Sequence, residues 1–391
     1  MSFTVLIVTM SVLVVLEILW TWRQQAQGID EARREPKPLS HYPSISVIRP
    51  VRGADVGAAE NYAAALNHGY PGEIETLFVF DEAEDPGYPI ARAAIDAHRA
   101  HGGAGRANVI VAGTPPRGMT GKLHAMIVGQ RLARHELIAF GDSDTRPDRD
   151  VLRVTVETLL STPQAACAFA PVVCNQPPER AGDVGYATMI NMWYGPAVAW
   201  ASRKTGDVPF IMGQLMVFTR QGLKRIGGVG CARGQLVDDM AIGRHIAAAG
   251  LRNVMAAHPL HIATGGMSYA EFLKVMRRWL LFSRNGLPFE FTLPMWLRGL
   301  EFWIATAALA VALWGGHLAA ALAPLTAFAL FLWSMLAMNR RFGGAPVGLR
   351  FWWVPLALPI VAPATIGLTL WHRTVDWRGR AYALDTNARL A

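Results

Sequence analysis

The sequence predicts an α/β domain with a largely parallel sheet, attached to a membrane by one leading apolar helix and about three trailing ones. The first observation is composition: the 391 residues are 52% hydrophobic and 17% charged, with a mean hydropathy of +0.23, too apolar for an ordinary soluble domain. The second is that long apolar runs lie near both ends. The third is that short apolar runs alternate with helical segments between residues 40 and 287, which is typical of parallel sheets.

The first element, residues 1–22, is expected to be a transmembrane anchor. The run "FTVLIVTMSVLVVLEILWTW" is long enough to cross a hydrocarbon core of about 30 Å, and it has neither a basic start nor a small-residue cleavage site. Glu17 inside this run either snorkels to the interface or faces a partner helix. Several basic residues follow the run, so the positive-inside rule predicts that the next domain is cytoplasmic. They are Arg23, Arg33, Arg34 and Lys37.

Residues 40–287 are predicted to form one domain in which strands alternate with helices. Strands are expected at "SISVIRPV", "EIETLFVF", "RANVIVAG" and "ELIAFGDSD", and helices at "AAENYAAALNHGY" and "GKLHAMIVGQRLARH". Ligands of such sheets bind at the carboxyl ends of the strands. The sequence contains no GxGxxG and no GxxxxGK[ST], so it supports neither the usual dinucleotide site nor a P-loop. We therefore expect phosphate to be held in another way.

Residues 297–371 contain three apolar blocks, which we expect to be transmembrane or interfacial helices. A short "GGH" link joins the first two and predicts a tight helical hairpin. The basic tail, residues 372–391, has two possible locations. Counting the spans places the tail outside, whereas its arginines favour the inside. If the Pro-rich last block lies partly in the interface, the tail stays inside.

Charge and cysteine content restrict the partners and the compartment. The net charge is +8 and the pI is near 9.7, which suits nucleic acid, anionic lipid or a phosphorylated substrate. Because the sequence has no nucleic-acid-binding motif and no Lys-rich tail, we expect lipid headgroups and phosphates and no nucleic acid. The cysteines Cys167, Cys174 and Cys231 have no metal-ligand spacing and fit a reducing compartment.

Carboxylates follow two of the predicted strands where each strand ends. Asp81 closes "LFVFD", and Asp142 and Asp144 follow the run "LIAF". A carboxylate at a strand end can accept a hydrogen bond from a uracil N–H. Two carboxylates one residue apart can bind a ribose hydroxyl and a hard divalent ion such as Mg²⁺ or Mn²⁺. The alternative is a solvated turn in which Asp148 or Asp150 caps the next helix.

Asp238 and Asp239 stand at the start of the apolar-periodic helix "MAIGRHIAAAG", which ends at Gly250. An N-cap or a first-turn acid favoured by the helix dipole accounts well for one of them and less well for the second. A carboxylate at such a turn can also act as general base, taking the proton from an acceptor hydroxyl as that hydroxyl attacks the anomeric carbon of a sugar. We favour the general-base interpretation.

Two further segments border the expected site. "SYAEFLKVMRRWLLFSR" predicts an amphipathic helix that rests on the membrane, with Lys274, Arg277 and Arg278 at anionic headgroups. An arginine of this helix can also bind a leaving diphosphate, with Trp279 beside the acceptor. "VPFIMGQLMVF", which contains Gly213, is either a wall beside the acceptor site or a buried strand with a glycine bulge.

The order of these motifs resembles that of membrane-bound family 2-like glycosyltransferases of the GT-A fold and, within them, the ceramide glucosyltransferases of family 21. The resemblance covers most of the chain. The motifs that carry it are "RPVRGADVGAAENYAAALNHGYPG", "FVFDEAEDPG", "GKLHAM", "FGDSDTRPD", "GQLMVFTRQGLKRIGG", "VDDMAIGRHIAAAG", "MRRW" and "DWRGRAY". It implies an α/β GT-A (nucleotide-diphospho-sugar transferase) domain between the membrane helices.

On the donor side, the resemblance implies a role for each matching residue. Asp81 is expected to contact the nucleotide base, with Asp85 as its rival in the same turn. Asp142 and Asp144 match the DxD motif, and Asp144 is the preferred metal ligand. Lys122 matches a lysine that reaches the donor phosphates.

On the acceptor side, the resemblance implies that Asp239 is the catalytic base, with Asp238 and Gly213 beside it. Arg278 and Trp279 match the end of the (Q/R)xxRW motif, in which Arg278 serves the donor and Trp279 borders both substrates. The chain departs from this motif at its first position, which is Val275. Arg277 or Lys274 is a candidate to replace the missing donor group.

The expected activity is inverting transfer of a hexose, glucose from UDP-glucose before others, to the primary hydroxyl of ceramide. A divalent metal, Mg²⁺ or Mn²⁺, is the expected cofactor. The expected partners are a UDP-sugar donor, a ceramide-like lipid acceptor and the membrane itself. We expect an integral membrane protein of the bacterial inner membrane, with a cytoplasmic catalytic domain.

Three alternatives remain beside this expectation. The first keeps the chemistry and uses a hopanoid or another membrane lipid alcohol as acceptor. The second is a processive polysaccharide synthase, which the three trailing blocks and Val275 disfavour. The third is a catalytically dead, membrane-anchored binding protein, which the presence of both Asp144 and Asp239 disfavours.

Overall fold

The computed structural model describes residues 3–284, 287, 289–371, 374–385 and 389–391, and its centre is a seven-stranded sheet. The strands of the described chain are β1 (Ile45–Val51), β2 (Ile74–Phe80), β3 (Arg106–Val111), β4 (Leu137–Gly141), β5 (Thr145–Arg146), β6 (Ala165–Phe169), β7 (Val172–Val173), β8 (Leu215–Thr219), β9 (Arg252–Met255), β10 (Leu260–Ile262), β11 (Thr374–Trp377) and β12 (Arg380–Ala383). Strands β1, β2 and β4 are buried throughout, as the centre of a sheet covered on both faces must be.

Helices cover both faces of this sheet and continue into an apolar bundle. They are α1 (Phe3–Ala32), α2 (Ala58–Leu66), α3 (Gly87–Ala100), α4 (Gly121–Leu132), α5 (Val151–Ser161), α6 (Ala181–Ala187), α7 (Gly195–Thr205), α8 (Arg220–Arg225), α9 (Asp238–Ala248), α10 (Tyr269–Arg284), α11 (Phe289–Trp314), α12 (Leu322–Phe342) and α13 (Trp353–Trp371). A π-helix, Thr188–Tyr194, joins α6 to α7.

The strand order of the central sheet is β3-β2-β1-β4-β8-β6-β9. The first four strands in the chain are parallel, as the sequence predicts. Strand β8 differs, because it runs antiparallel to both β4 and β6. The chain leaves the sheet after β6 and passes through α6 and α7, which contact the bundle. A simple crossover helix packed on the sheet, which makes neighbouring strands parallel, is therefore absent between β6 and β8.

Four helices are long and apolar enough to cross a membrane: α1, most of α11, α12 and a segment that includes most of α13. Helix α1 packs against α7, α11 and α12 and continues ten residues beyond the apolar run that predicted it. At one end of this bundle, the Thr4 hydroxyl lies 3.3 Å from His317 of the α11–α12 turn. At the other end, Asp30 pairs with Arg341 and Gly28 lies against the backbone of Ala199.

A polar network lies buried inside this bundle and decides between the two explanations for Glu17. Arg298 is fully buried, and its guanidinium lies 3.1 Å from Glu301 and 3.0 Å from the hydroxyl of Ser334. Glu17 accepts a 2.6 Å hydrogen bond from Thr21 and makes a side-chain contact with Glu301. Glu17 therefore faces a partner helix rather than snorkelling.

The tail forms the two-stranded hairpin β11–β12, which lies against the α/β domain. The Arg52 side chain donates a 2.9 Å hydrogen bond to the carbonyl of Arg378, and the Arg378 guanidinium donates one of 3.0 Å to the carbonyl of Arg52. Since these contacts join the tail to the loop after β1, the tail lies on the same side of the bundle as the domain.

Candidate active site

The structure brings most of the predicted site residues to one cleft at the carboxyl ends of β1, β2 and β4. The starts of α4 and α9 and the middle of α10 complete its walls. The predicted residues that line it are Asp81, Lys122, Asp142, Asp144, Asp238, Asp239, Arg278 and Trp279. Asp85 and Gly213 are not among the lining residues. The topological switch of an open α/β sheet is where ligands bind.

The turn after β4 places Asp142 and Asp144 differently. Asp142 Oδ1 lies 2.6 Å from Lys122 Nζ, while Asp144 Oδ2 lies 3.5 Å from Arg378 and its side chain is 41% exposed. Burial raises the pKa of Asp142, and Lys122 opposes this effect. Asp142 is thus a half-buried, paired carboxylate, and Asp144 presents its oxygens to the cleft.

The solvated-turn alternative applies to other acids of this segment. Asp148 Oδ1 accepts 3.0 Å hydrogen bonds from the backbone N–H groups of Asp150 and Val151. Asp150 occupies the cap position of α5, but its side chain makes no capping hydrogen bond. Asp148 therefore satisfies the helix start, and Asp142 and Asp144 take no part in capping.

Arg49, which the sequence analysis missed, fixes the geometry of this turn. It is buried in the middle of β1 and donates hydrogen bonds to the carbonyl of Asp142 and, at 3.2 Å, to that of Thr145. Burial lowers the pKa of Arg49 to about 10, so its guanidinium stays charged at neutral pH. The signal was present in the sequence, since a cation inside the apolar run "ISVIRPV" requires a partner.

The carboxylates of Asp81 and Asp85 have different surroundings. Asp81 Oδ2 lies 3.0 Å from Arg52 and 2.8 Å from Arg380, and it faces the cleft. Asp85 accepts hydrogen bonds of 2.8 Å from the backbone N–H groups of Gly53 and Gly87. Asp85 therefore shapes two loops behind the cleft, which leaves Asp81 as the carboxylate that a ligand can contact.

Asp238 and Asp239 form the first turn of α9. The cap position is occupied by Val237, so neither carboxylate is the N-cap. The backbone N–H of Asp239 donates a 2.8 Å hydrogen bond to Asp238, and that of Met240 donates one of 2.7 Å to Asp239. Burial and the adjacent Asp238 raise the pKa of Asp239 to about 7. Such a carboxylate exchanges its proton near neutral pH, as a general base must.

Lys122 and Gly213 connect the two carboxylate pairs. Although burial disfavours its charge, the carboxylates of Asp142, Asp238 and Asp239 raise the pKa of Lys122. Its Nζ also lies 3.4 Å from the Gly213 carbonyl. An ideal Cβ on Gly213 would lie 2.4 Å from Asp239 Oδ2. Gly213 thus allows the Asp239 carboxylate to approach the backbone, and it precedes β8 rather than forming a bulge within it.

Helix α10 contributes Arg278 and Trp279 to the cleft, and Trp279 packs edge-on against Tyr194 at a centroid distance of 5.5 Å. Burial lowers the pKa of Arg278. Among the ion pairs of the described residues, none includes Arg278. Lys274 and Arg277, the candidates to replace the missing first residue of the motif at Val275, do not line the cleft.

The largest contribution that the sequence analysis missed comes from the tail. Trp377, Arg378, Arg380 and Tyr382 line the cleft, and Arg378 also pairs with Asp55. The tail motif "DWRGRAY" carried the resemblance but received no role. No local pattern indicates that a hairpin beyond three apolar helices returns to the first strands.

The residues of the cleft fit a divalent ion that shares its coordination with a substrate. No group of three or more His, Cys, Asp or Glu that could hold a metal occurs in the part of the chain that the structure describes. Asp144 and Asp142 are hard oxygen ligands one residue apart, which suits Mg²⁺ or Mn²⁺ when phosphate oxygens complete the shell. These residues therefore do not form a structural metal site whose ligands all come from the protein.

Comparisons with known proteins place the chain in a family. Ceramide glucosyltransferase 3 of Caenorhabditis elegans is 23% identical over 253 residues, 62% of this chain and 51% of that relative, so the match spans about half of the relative's length. A mannosyltransferase from Pyrobaculum calidifontis, solved in complex with GDP-Man and Mn²⁺, aligns with a TM-score of 0.57 at 19% identity, over 92% of this chain and 98% of that chain. Glucosyl-3-phosphoglycerate synthase from Mycobacterium tuberculosis aligns at 15% identity over 57% of this chain and 73% of that chain, with a TM-score of 0.35.

The likeness to the mannosyltransferase shows the GT-A fold for this chain, whose central sheet is mixed and has apolar helices before and after it. The family assignment rests on a different comparison, which extends over almost the full length. Since residues 3–390 match the model of glycosyl transferase family 21, the chain belongs to that family.

Proposed function

We propose that this glycosyltransferase moves a hexose from a nucleotide-diphosphate sugar, with UDP-glucose as the first candidate, to the primary hydroxyl of a ceramide-like lipid. The proposal rests on one observation. Asp239, whose pKa is near neutral, shares a cleft with Asp142 and Asp144, two carboxylates that could together bind a divalent metal ion. The name of the relative from Caenorhabditis elegans supports the sugar and the acceptor. The metal bound to the mannosyltransferase supports a divalent cofactor, Mg²⁺ or Mn²⁺.

In the proposed reaction, Asp239 is the general base. Its carboxylate takes the proton from the acceptor hydroxyl while the hydroxyl oxygen attacks the anomeric carbon. The bond between that carbon and the diphosphate oxygen breaks, and its electron pair leaves with the nucleoside diphosphate. A single displacement inverts the anomeric configuration. With a pKa of about 7, a large share of Asp239 is ready to accept a proton at physiological pH.

The donor side neutralises the charge of the leaving group. Asp81 is proposed to contact the nucleotide base, and Asp144, with Asp142 behind it, to hold the divalent ion. Such an ion supplies positive charge to the diphosphate as the sugar bond breaks. Arg278 faces the same cleft, and its guanidinium fork suits phosphate oxygens. Lys122 Nζ lies 2.6 Å from Asp142 Oδ1. We therefore propose that Lys122 chiefly holds the carboxylates in position, and that contact with the donor phosphates is its second role.

The acceptor is proposed to approach from the membrane bundle. Trp279, Tyr194 and Met212 line the cleft together with Asp239, and α10 is followed in the chain by the apolar helix α11. We propose an anchor at residues 1–22, a cytoplasmic catalytic domain at 40–287, membrane helices at 297–371 and a basic tail at 372–391. A lipid acceptor then reaches the base without leaving the bilayer.

The test is a product assay on membranes that contain the protein. UDP-glucose, UDP-galactose and UDP-N-acetylglucosamine are offered with ceramide or a hopanoid alcohol, with and without a metal chelator. We expect glycosylated ceramide from native protein, and none from Asp239→Asn or after chelation. Asp150→Asn is the matched control, since this carboxylate is exposed and pairs with Arg153 outside the cleft. If only the hopanoid alcohol is glycosylated, the acceptor is a hopanoid and not ceramide. Full activity of Asp239→Asn would refute the assignment of Asp239 as the base.

A further inference from the structure

The carboxylates on the donor side of the cleft already have arginine partners, and two of these arginines belong to the tail hairpin. Arg378 pairs with Asp55, and its Nη2 lies 3.5 Å from Asp144 Oδ2. Arg380 Nη1 lies 2.8 Å from Asp81 Oδ2. The hairpin therefore occupies the carboxylates to which the proposed function assigns the metal ion and the nucleotide base.

The backbone at Arg378 is unusual for a turn that serves folding alone. Trp377 pairs with Arg380 across the hairpin, so Arg378 and Gly379 form a two-residue turn with φ values of 54° and 70°. Left-handed backbone at both positions is typical of turns that favour Asn-Gly. A side chain as large as arginine is uncommon there. The guanidinium, rather than the backbone preference, is the feature that explains this residue.

Charge explains what the guanidinium can do. When a divalent ion binds Asp144, a guanidinium 3.5 Å from that carboxylate meets a like charge and loses its favourable pairing. The diphosphate of a donor brings new anionic oxygens to the same place. Arginine forks bind carboxylate and phosphate with the same bidentate geometry. Arg378 therefore has a reason to leave Asp144 and a new acceptor close by.

We propose, on the basis of the proposed function, that the hairpin Thr374–Ala383 is part of the donor site. Arg378 transfers from Asp144 to the diphosphate of the nucleotide sugar when the donor binds with its metal ion. Arg380 lies beside it on Asp81 and adds positive charge at the nucleotide. The hairpin thus supplies the charge that the (Q/R)xxRW motif lacks at Val275, where neither Lys274 nor Arg277 reaches the cleft.

The variant that tests this is Arg378→Asn in the full-length protein in detergent. Asparagine favours the left-handed turn, so the hairpin is retained while the cation is removed. Binding of UDP and of GDP is measured by calorimetry in the presence of Mn²⁺, and binding of Mn²⁺ alone by electron paramagnetic resonance. Arg350→Asn is the control, because Arg350 donates a long hydrogen bond to the Glu179 carbonyl, lies over the ring of its neighbour Phe351 and does not line the cleft.

The two measurements are expected to change in opposite directions. The nucleoside diphosphate that the native protein binds more tightly should bind Arg378→Asn about 10- to 100-fold more weakly, the size of a lost charged hydrogen bond. Mn²⁺ alone should bind more tightly, because its competitor at Asp144 is gone. Uridine or guanosine, which lacks phosphate, should show no such loss.

Other results overturn the inference, and they differ from failure of the proposed function. Unchanged or tighter diphosphate binding by Arg378→Asn would mean that the hairpin blocks the donor site, and weaker binding of both ligands would indicate damage to the fold. In both cases the native protein still binds a nucleoside diphosphate, so the proposed function stands. If the native protein binds neither UDP nor GDP, both the inference and the proposed function are refuted.

Discussion

Asp239 differs from Asp142 and Asp144 in that another acid, Asp238, stands directly beside it in the chain. Asp142 has Lys122, and Asp144 has Arg378. The neighbour of Asp239 in the first turn of α9 is Asp238, another acid. A like charge beside Asp239 favours its protonated form, which suits a group that must take up a proton. The assignment of Asp239 as base and Asp144 as metal ligand rests on this difference.

The pH dependence of transfer follows from that environment. Asp239 accepts a proton only when ionised, and its pKa is raised to about 7, so kcat/KM should fall as the pH decreases through about 7. In Asp238→Asn one like charge is removed, which lowers the pKa of Asp239 and shifts the acid limb to lower pH. The measurement is a pH–rate profile of both proteins. An acid limb that is absent, or that moves upward in the variant, would contradict the assignment.

Gly213→Ala tests the position of the same carboxylate. The added Cβ would lie 2.4 Å from Asp239 Oδ2, so the carboxylate must move away from its place. We expect kcat to decrease on the order of tenfold to a hundredfold, since small displacements at a reacting group have such effects. Affinity for the nucleoside diphosphate should not change. Gly230→Ala is the control, because a Cβ there meets no atom closer than 3.9 Å; equal losses in both variants would argue against the positional explanation.

Part of the site was predictable from single residues. Asp81, Asp142 and Asp144 stand where apolar runs stop, and the carboxyl ends of neighbouring parallel strands meet at one edge. The partner of each carboxylate was not predictable. Lys122 entered only through the resemblance, as a residue that reaches the donor phosphates, and Arg378 comes from a hairpin far along the sequence. Pairing between such side chains leaves no periodic pattern.

Among the elements, helix α1 is both a membrane helix and a support for the domain. Its last turns lie against α7, where a Cβ on Gly28 would be 2.8 Å from the Ala199 backbone. The sequence predicted only the apolar part of this helix. A long apolar run indicates contact with lipid, but it does not indicate where a small residue such as Gly28 packs against a neighbouring backbone. The same limitation applies to β8, whose direction depends on the path through α6 and α7.

A pair of glycines in membrane helices tests this contact. Gly28→Ala should destabilise the protein by about 1–3 kcal/mol, because the methyl group forces two backbones apart. Gly299→Ala makes the same change in α11, where a Cβ meets no atom within 4 Å, and should be neutral or stabilising by up to about 1 kcal/mol. Thermal unfolding in one detergent measures both. Equal shifts of Tm would show that α1 does not pack on α7 in this way.

At the scale of the whole molecule, the ends of the helices define two sides of the bundle. His317 and Thr4 mark the side away from the domain, and Asp30 with Arg341 marks the domain side. Helix α13 starts beside Tyr269, which contacts Trp353, and is followed by a hairpin in the cleft. Both ends of α13 therefore lie on the domain side, so we expect this helix to lie along the membrane surface despite its apolar composition.

Labelling of single cysteines in sealed vesicles measures this arrangement. After Cys231→Ser, which removes the least buried native thiol, the variants Asp376→Cys and Leu318→Cys should react with an impermeant maleimide from opposite sides. Asp96→Cys on the domain surface is the reference and should react from the same side as Asp376→Cys. If Asp376→Cys reacts together with Leu318→Cys, α13 crosses the membrane and the arrangement is wrong.

The return of the hairpin to the first strands also affects how the enzyme is made. Asp55 and Arg378 are 323 positions apart, which at about 5–20 residues per second is a delay on the order of 15–65 s during translation. Throughout that interval, the carboxylates near Asp55 and Asp144 lack a cation that later holds them. Helices α11 and α12 precede the hairpin in the chain and are therefore synthesised before it. With the proposed role of the hairpin in the donor site, we expect a newly made domain outside the bilayer to carry an unfinished site and to use no nucleotide sugar before the hairpin has docked.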